Sequence, residues 1–117
     1  CMLCANPSNS RAVQKIESFL KTNNIDFDRE KTFSGLRGKR SLRFDFFLPL
    51  FNMLIEYDGK QHSRPIEHWG GEKAFQDLIE NDRIKDAWAK INGFKLLRIK
   101  FDEEEKIEAI LALNIHV

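Results

Sequence analysis

Three carboxylates stand inside otherwise apolar segments of this chain. Asp45 lies within LRFDFFL, and Glu56 and Asp58 lie within MLIEYD. Both segments carry the alternation and β-favouring residues of strands. Side chains on a strand point to opposite faces in turn. Leu54, Glu56 and Asp58 therefore share one face, and Met53, Ile55 and Tyr57 share the other. The same alternation puts Leu42, Phe44 and Phe46 on one face and Arg43, Asp45 and Phe47 on the other. Paired as a hairpin, the two segments bring Asp45 beside Glu56 and Asp58. Two like charges ~4 Å apart repel by roughly 4 kcal/mol at an effective dielectric near 20. A divalent cation removes that repulsion. Carboxylate oxygens completed by water and phosphate suit Mg²⁺, with Mn²⁺ as a substitute. The plainer reading is a strand edge with solvated acids, which usually holds for one acid and is less apt for three in this register.

Other chemistry-bearing residues lie near these strands in the sequence. His62 follows Gly59 closely, where an imidazole can act as general base or hold a leaving group, although a lone His is more often structural. Asp82 sits in Asn-Asp-Arg within a helical segment and is by itself an ordinary helix acid. Net charge is only +1, so bulk electrostatics do not announce a nucleic-acid partner. The distribution is more informative. Arg37, Lys39, Arg40 and Arg43 crowd together, as phosphate binding requires; the plainer reading is a solvated hairpin loop. Trp69 lies in the polar segment Ser63 to Gly71. There it can stack on bases, or fold back over Phe75 and Leu78 as core.

The elements that must position these residues follow from periodicity. Ser8 to Lys21 is predicted as a helix from Val13, Ile16, Phe19 and Leu20, ended by Asn23–Asn24. Strands are predicted over Ile25 to Phe33, Leu42 to Leu48 and Met53 to Asp58, with a loop over 34–41 between the first two. Glu72 to Asn92 is a long helix with a stripe of Ile84, Ala87, Trp88 and Ile91, capped by Gly93. Phe94 to Lys100 is a fourth strand. Asp102 is the expected N-cap of a last helix carrying Ile107, Ile110 and Leu111. The order α-β-β-β-α-β-α, with a strand–helix–strand crossover after a meander, implies an α/β mixed sheet flanked by helices.

Composition sets the bounds. A chain of 117 residues, 42% hydrophobic with ten Phe, suits one domain with a real core. No apolar run approaches the ~20 residues of a membrane span. No secretory signal is visible, and two Cys do not make a disulfide scaffold, so an intracellular, cytoplasmic setting is expected. The first residue is Cys, which reads as a fragment or a processed product.

The strings LRFDFFLPLFNMLIEYDGKQH and ENDRIKDAWAKINGFKLLRI resemble the PD-(D/E)XK nuclease superfamily. Within it they look most like the very-short-patch repair endonucleases and the phage-type homing endonucleases. The resemblance covers roughly residues 10 to 101 and implies a restriction-endonuclease-like fold, with residues 9–117 as the nuclease domain. Asp45 matches the metal-binding aspartate, and Glu56 and Asp58 fall on the (D/E)XK strand, with Asp58 where many relatives have lysine. His62 matches the catalytic histidine of the repair branch, and Asp82 the helix acid that orients it. Val13 falls where relatives often carry a first-helix Glu. Similar phage-type proteins often place short zinc-binding segments upstream. Cys1 and Cys4, within residues 1–8, look like the last half of one, or are an accidental pair. Two ligands do not complete a tetrahedral site.

The resemblance implies Mg²⁺-dependent hydrolysis of duplex DNA, with Asp45, Glu56 and Asp58 as metal ligands. It also implies a prokaryotic or phage origin, and a homodimer if both strands are cut. Val13 motivates an alternative, a nuclease-fold DNA-binding module that does not cut. A third reading is a protein-interaction domain with a solvated acidic patch.

Overall fold

The computed structural model describes residues 11–38, 40–59 and 71–115. Lys39, His62, Trp69, Cys1 and Cys4 lie outside the described residues. The elements are α1 (Arg11–Thr22), β1 (Asp28–Arg37), β2 (Ser41–Leu48), β3 (Met53–Asp58), α2 (Gly71–Ile91), β4 (Lys95–Lys100) and α3 (Ile107–Ile115). Short 3₁₀ turns span Pro49–Phe51 and Phe101–Lys106. The expected α-β-β-β-α-β-α order is what the described residues adopt. No helix among the described residues is long and apolar enough to cross a membrane.

The four strands form one sheet in the order β1-β2-β3-β4. β1, β2 and β3 are a meander with antiparallel pairing, and β4 pairs parallel to β3 after the α2 crossover. One face of the sheet carries Phe46, Leu48, Met53, Ile55 and Ile99. It is covered by Ala12, Val13, Ile16 and Leu20 of α1 and by Ile107, Leu111 and Ile115 of α3. The other face carries Leu36, Phe44 and Leu54 under Ile84, Trp88 and Ala89 of α2. Each fully buried Phe or Leu contributes about 1.5–3 kcal/mol. On the α2 side Trp88 stacks on Phe94 with ring centroids 5.5 Å apart, and Phe33 meets Trp88 at 4.7 Å.

Asn24 closes α1 in the left-handed region at φ 56°, and the Ile25 N–H returns to the Leu20 carbonyl at 2.9 Å. Gly93 ends α2 at φ +78°, a conformation in which a side chain is strained, and the Phe94 N–H bonds to Ala89 O at 2.9 Å. The turn between β2 and β3 is tied to β4. Asn52 Nδ2 donates to Gly93 O at 2.9 Å, and the Lys95 N–H donates to Asn52 O at 3.0 Å.

Four expectations are corrected. The segment 34–41 is not all loop. β1 runs to Arg37 through a register shift between Thr32 and Arg37, because Leu36 is buried in the α2-side core. The stripe Ile84, Ala87, Trp88 and Ile91 is only half right. Ile84 and Trp88 pack inward, but Ile91 is 83% exposed and Ala89 takes the buried position. Asp102 does not cap α3. Residues 101–106 form a 3₁₀ turn, in which Glu103 Oε1 accepts the Lys100 N–H at 2.9 Å.

β2 also departs from expectation. Phe44 and Phe46 do not share a face: Phe44 packs under α2 and Phe46 under α1. β1 slips at the same level. Phe27 and Arg29 lie against Phe46, whereas Lys31 and Phe33 lie against Phe47. The β1–β2 register is the same on either side of the slip, Arg29↔Phe46 and Lys31↔Phe44. Both strands therefore turn over together where Glu30 faces Asp45, and Glu30 has φ 50°.

Candidate active site

The turnover at Asp45 is what builds the site. The paired register of β2 and β3 ends at Phe46↔Ile55. Beyond it, side chains replace the ladder. The Asp45 N–H donates to Glu56 Oε1 at 2.8 Å, and the Tyr57 N–H donates to Asp45 Oδ2 at 2.8 Å. The two strands part here, and each lends a carboxylate to the gap. Face alternation in β3 holds as expected: Leu54 packs under α2, and Met53, Ile55 and Tyr57 pack on the α1 side.

Glu56 is 4% exposed, the only buried charged residue among the described residues. Lys85 Nζ on α2 donates to Glu56 Oε2 at 2.9 Å. Burial pushes the Glu56 carboxyl up to about 7, the Asp45 charge adds to this, and Lys85 opposes it. In the parallel pair β3–β4, Arg98 stands level with Glu56. Its Nη1 lies 2.9 Å from Asp58 Oδ1 and 3.7 Å from Asp82 Oδ1. Its Nε and Nη2 both donate to Asp86 Oδ1, at 3.0 and 2.9 Å. Burial works against the Arg98 charge, but Asp58, Asp82 and Asp86 outweigh it and raise its pKa.

Glu56, Asp58 and Asp82 each offer a carboxylate oxygen within 4.8 Å of the others, close enough to hold one cation together. This trio differs from the expected Asp45, Glu56 and Asp58. Asp82 of α2 joins it, while Asp45 adjoins it through Glu56. Asp82 faces the sheet because α2 turns Asp82, Lys85 and Ala89 to it at i, i+3 and i+7, with Asp86 at the rim.

Val13 is buried in the α1-side core, on the face of the sheet opposite Glu56. Glu17 of α1 is engaged with Arg29 and Lys21. α1 therefore brings neither residue to the cluster.

Of the basic residues, Arg37 and Arg40 are exposed at the β1–β2 turn. Arg43 is ion-paired with Glu30 at 3.2 Å. The turn approaches α2 closely: a Cβ on Gly38 would lie 2.9 Å from Asn81 Oδ1 and 3.2 Å from Ile84 Cδ1. Arg37 and Arg40 thus flank a turn seated against Asn81 and Ile84 of α2.

Sequence reasoning missed Lys85, Asp86 and Arg98. A signal existed for Arg98, a charge inside the apolar strand KLLRIK at the position that alternation aligns with Leu96. Lys85 looked like any solvated helix lysine.

No family model matches the chain, and no solved structure matches it. The chain is 29% identical over 77 residues to the uncharacterized protein 307L of Invertebrate iridescent virus 6. That stretch covers 65% of this chain and 39% of the viral protein, so the chain spans well under half of its relative.

Proposed function

We propose that the domain is a metal-dependent DNA endonuclease whose site is the carboxylate cluster between β3 and α2. The observation that carries this reading is the convergence of Glu56, Asp58 and Asp82 within 4.8 Å, with Asp45 bonded across the strand gap. The donors are all hard oxygens, which fit Mg²⁺ or Mn²⁺. Such an ion, when bound, supplies Lewis-acid polarisation of a phosphate oxygen and a more acidic water. Glu56, Asp58 and Asp82 would hold it. Asp45 fixes Glu56 through its own N–H and raises the local negative charge. Lys85 places an ammonium on Glu56, where the strand itself carries Asp58 instead of lysine. Arg37 and Arg40, exposed at the β1–β2 turn, offer cations to the phosphate backbone. The similarity to an iridescent-virus protein supports a viral setting for such an enzyme.

A second reading, a DNA-binding module that does not cut, is favoured by the cations already seated on these acids, Lys85 on Glu56 and Arg98 on Asp58. A plasmid-nicking assay with Mg²⁺ or Mn²⁺ separates the two. Cleavage by the wild type, abolished by Glu56→Gln, supports the enzyme. DNA binding without any cleavage in either ion supports the module.

A further inference from the structure

Arg98 reaches acids on two elements with different nitrogens. Nη1 faces Asp58 of β3 and Asp82 of α2, two of the three residues in the oxygen trio. Nε and Nη2 converge on Asp86, which is outside the trio and whose side chain is more than half exposed. Nη2 also lies 3.4 Å from the Asp82 carbonyl. The guanidinium is therefore shared between the candidate site and an anchor at the site's rim.

We propose that Arg98 is an internal competitor for the cation site, held by Asp86 so that it can withdraw from Asp58 and Asp82 when a divalent ion enters. The inference rests on the reading of the cluster as a cation site. A guanidinium and a divalent ion cannot both lie against the same carboxylate oxygens without mutual repulsion. The two occupants are thus linked, and the arginine lowers the affinity of the ion by the free energy of its own contacts there. Asp86 acts in the opposite sense. By giving Nε and Nη2 a partner outside the trio, it lessens the loss when Nη1 leaves.

The two residues then have opposite effects on one measurement. Calorimetric titration of the whole chain with Mn²⁺, at fixed pH and ionic strength, reads it. Arg98→Met is expected to bind Mn²⁺ about tenfold more tightly than the wild type, and Asp86→Asn several-fold more weakly. Arg98→Lys keeps the charge without the fork and is expected to tighten binding by less; it serves if Arg98→Met does not fold. A merely structural arginine predicts weaker binding in all three, alongside lower melting temperatures. If the wild type binds Mn²⁺ and folded Arg98→Met and Arg98→Lys bind it no more tightly, the competition is overturned while the cation site stands. If wild type and arginine variants all fail to bind Mn²⁺, the cation site falls and the competition with it.

Discussion

Asp45 and Glu56 are linked by a pair of hydrogen bonds from the strand amides. The Glu56 carboxylate accepts the Asp45 N–H, and the Asp45 carboxylate accepts the N–H of Tyr57, the residue after Glu56. Each acid therefore has two roles, since it satisfies a strand amide that the ladder has abandoned and adds negative charge to the cluster.

That double role sets the choice of variant. Asp45→Ala removes the acceptor of the Tyr57 N–H, which costs about 1–3 kcal/mol in addition to any effect on cleavage. Asp45→Asn keeps an acceptor oxygen and removes the charge. It is expected to abolish Mg²⁺-dependent nicking while urea unfolding shifts by less than it does for Asp45→Ala. Wild-type nicking by Asp45→Asn removes Asp45 from the reaction.

Glu56 makes stability depend on pH in a definite direction. Its folded carboxyl titrates near 7, against an ordinary 4.5 in the unfolded chain. Between those values the native state binds the extra proton, so this group's contribution to stability falls as pH rises through the window and is level above it. Chelator-treated wild type should lose melting temperature between pH 5 and pH 7.5 relative to Glu56→Gln. Parallel pH profiles for the two proteins would contradict the assignment.

Lys85 tests the same carboxylate from the other side. Lys85→Met leaves Glu56 buried without the ammonium 2.9 Å away. Removing one partner of a buried pair costs up to about 3–5 kcal/mol. The loss is expected to be larger at pH 8 than at pH 5, where Glu56 can take up a proton instead. Denaturant titrations at the two pH values check this; equal losses would mean that Glu56 does not depend on Lys85.

The basic turn should act on DNA through phosphates. Replacing Arg37 and Arg40 together by Gln is expected to weaken binding to any duplex sequence and to reduce the slope of log affinity against log salt by about 0.9 per lost contact. Fluorescence anisotropy across a salt series measures the slope. An unchanged slope takes the turn out of the interface.

Gly38 ties that turn to the site. An added methyl would meet the ends of the Asn81 and Ile84 side chains, which can turn aside. Gly38→Ala should therefore cost only about 1 kcal/mol, and Gly38→Val more. Gly38→Val is expected to move Arg37 and Arg40 away from α2 and so to lower DNA affinity, while Gly38→Ala leaves the affinity as it is. Full affinity in Gly38→Val would show that the seating of the turn does not matter for binding.

The sequence carried the element order, the faces of β3 and the C-terminal ends of α1 and α2, because period-2 and period-3.6 patterns and capping residues express local preferences. It hid the turnover at Glu30 and Asp45. Phe44, Phe46 and Phe47 are all apolar, so nothing in their types says that Phe44 belongs with Phe47. It also hid the inner face of α2. Hydrophobic periodicity finds buried apolar residues, whereas Asp82 and Lys85 are drawn in by partners on the strands and Asp86 holds Arg98 from the rim. Glu56 and Asp58 were legible as a pair, but Asp82 joined them only through the tertiary crossover.

That crossover also orders events in time. Asp45, Glu56 and Asp58 belong to one β-hairpin and can meet through local contacts. Lys85 and Arg98 reach them across 29 and 40 residues of chain. Closing those long loops is slow compared with hairpin formation. Asp45, Glu56 and Asp58 are therefore expected to gather before Asp82, Lys85 and Arg98 arrive, with the parallel β3–β4 ladder as the late step that completes the constellation.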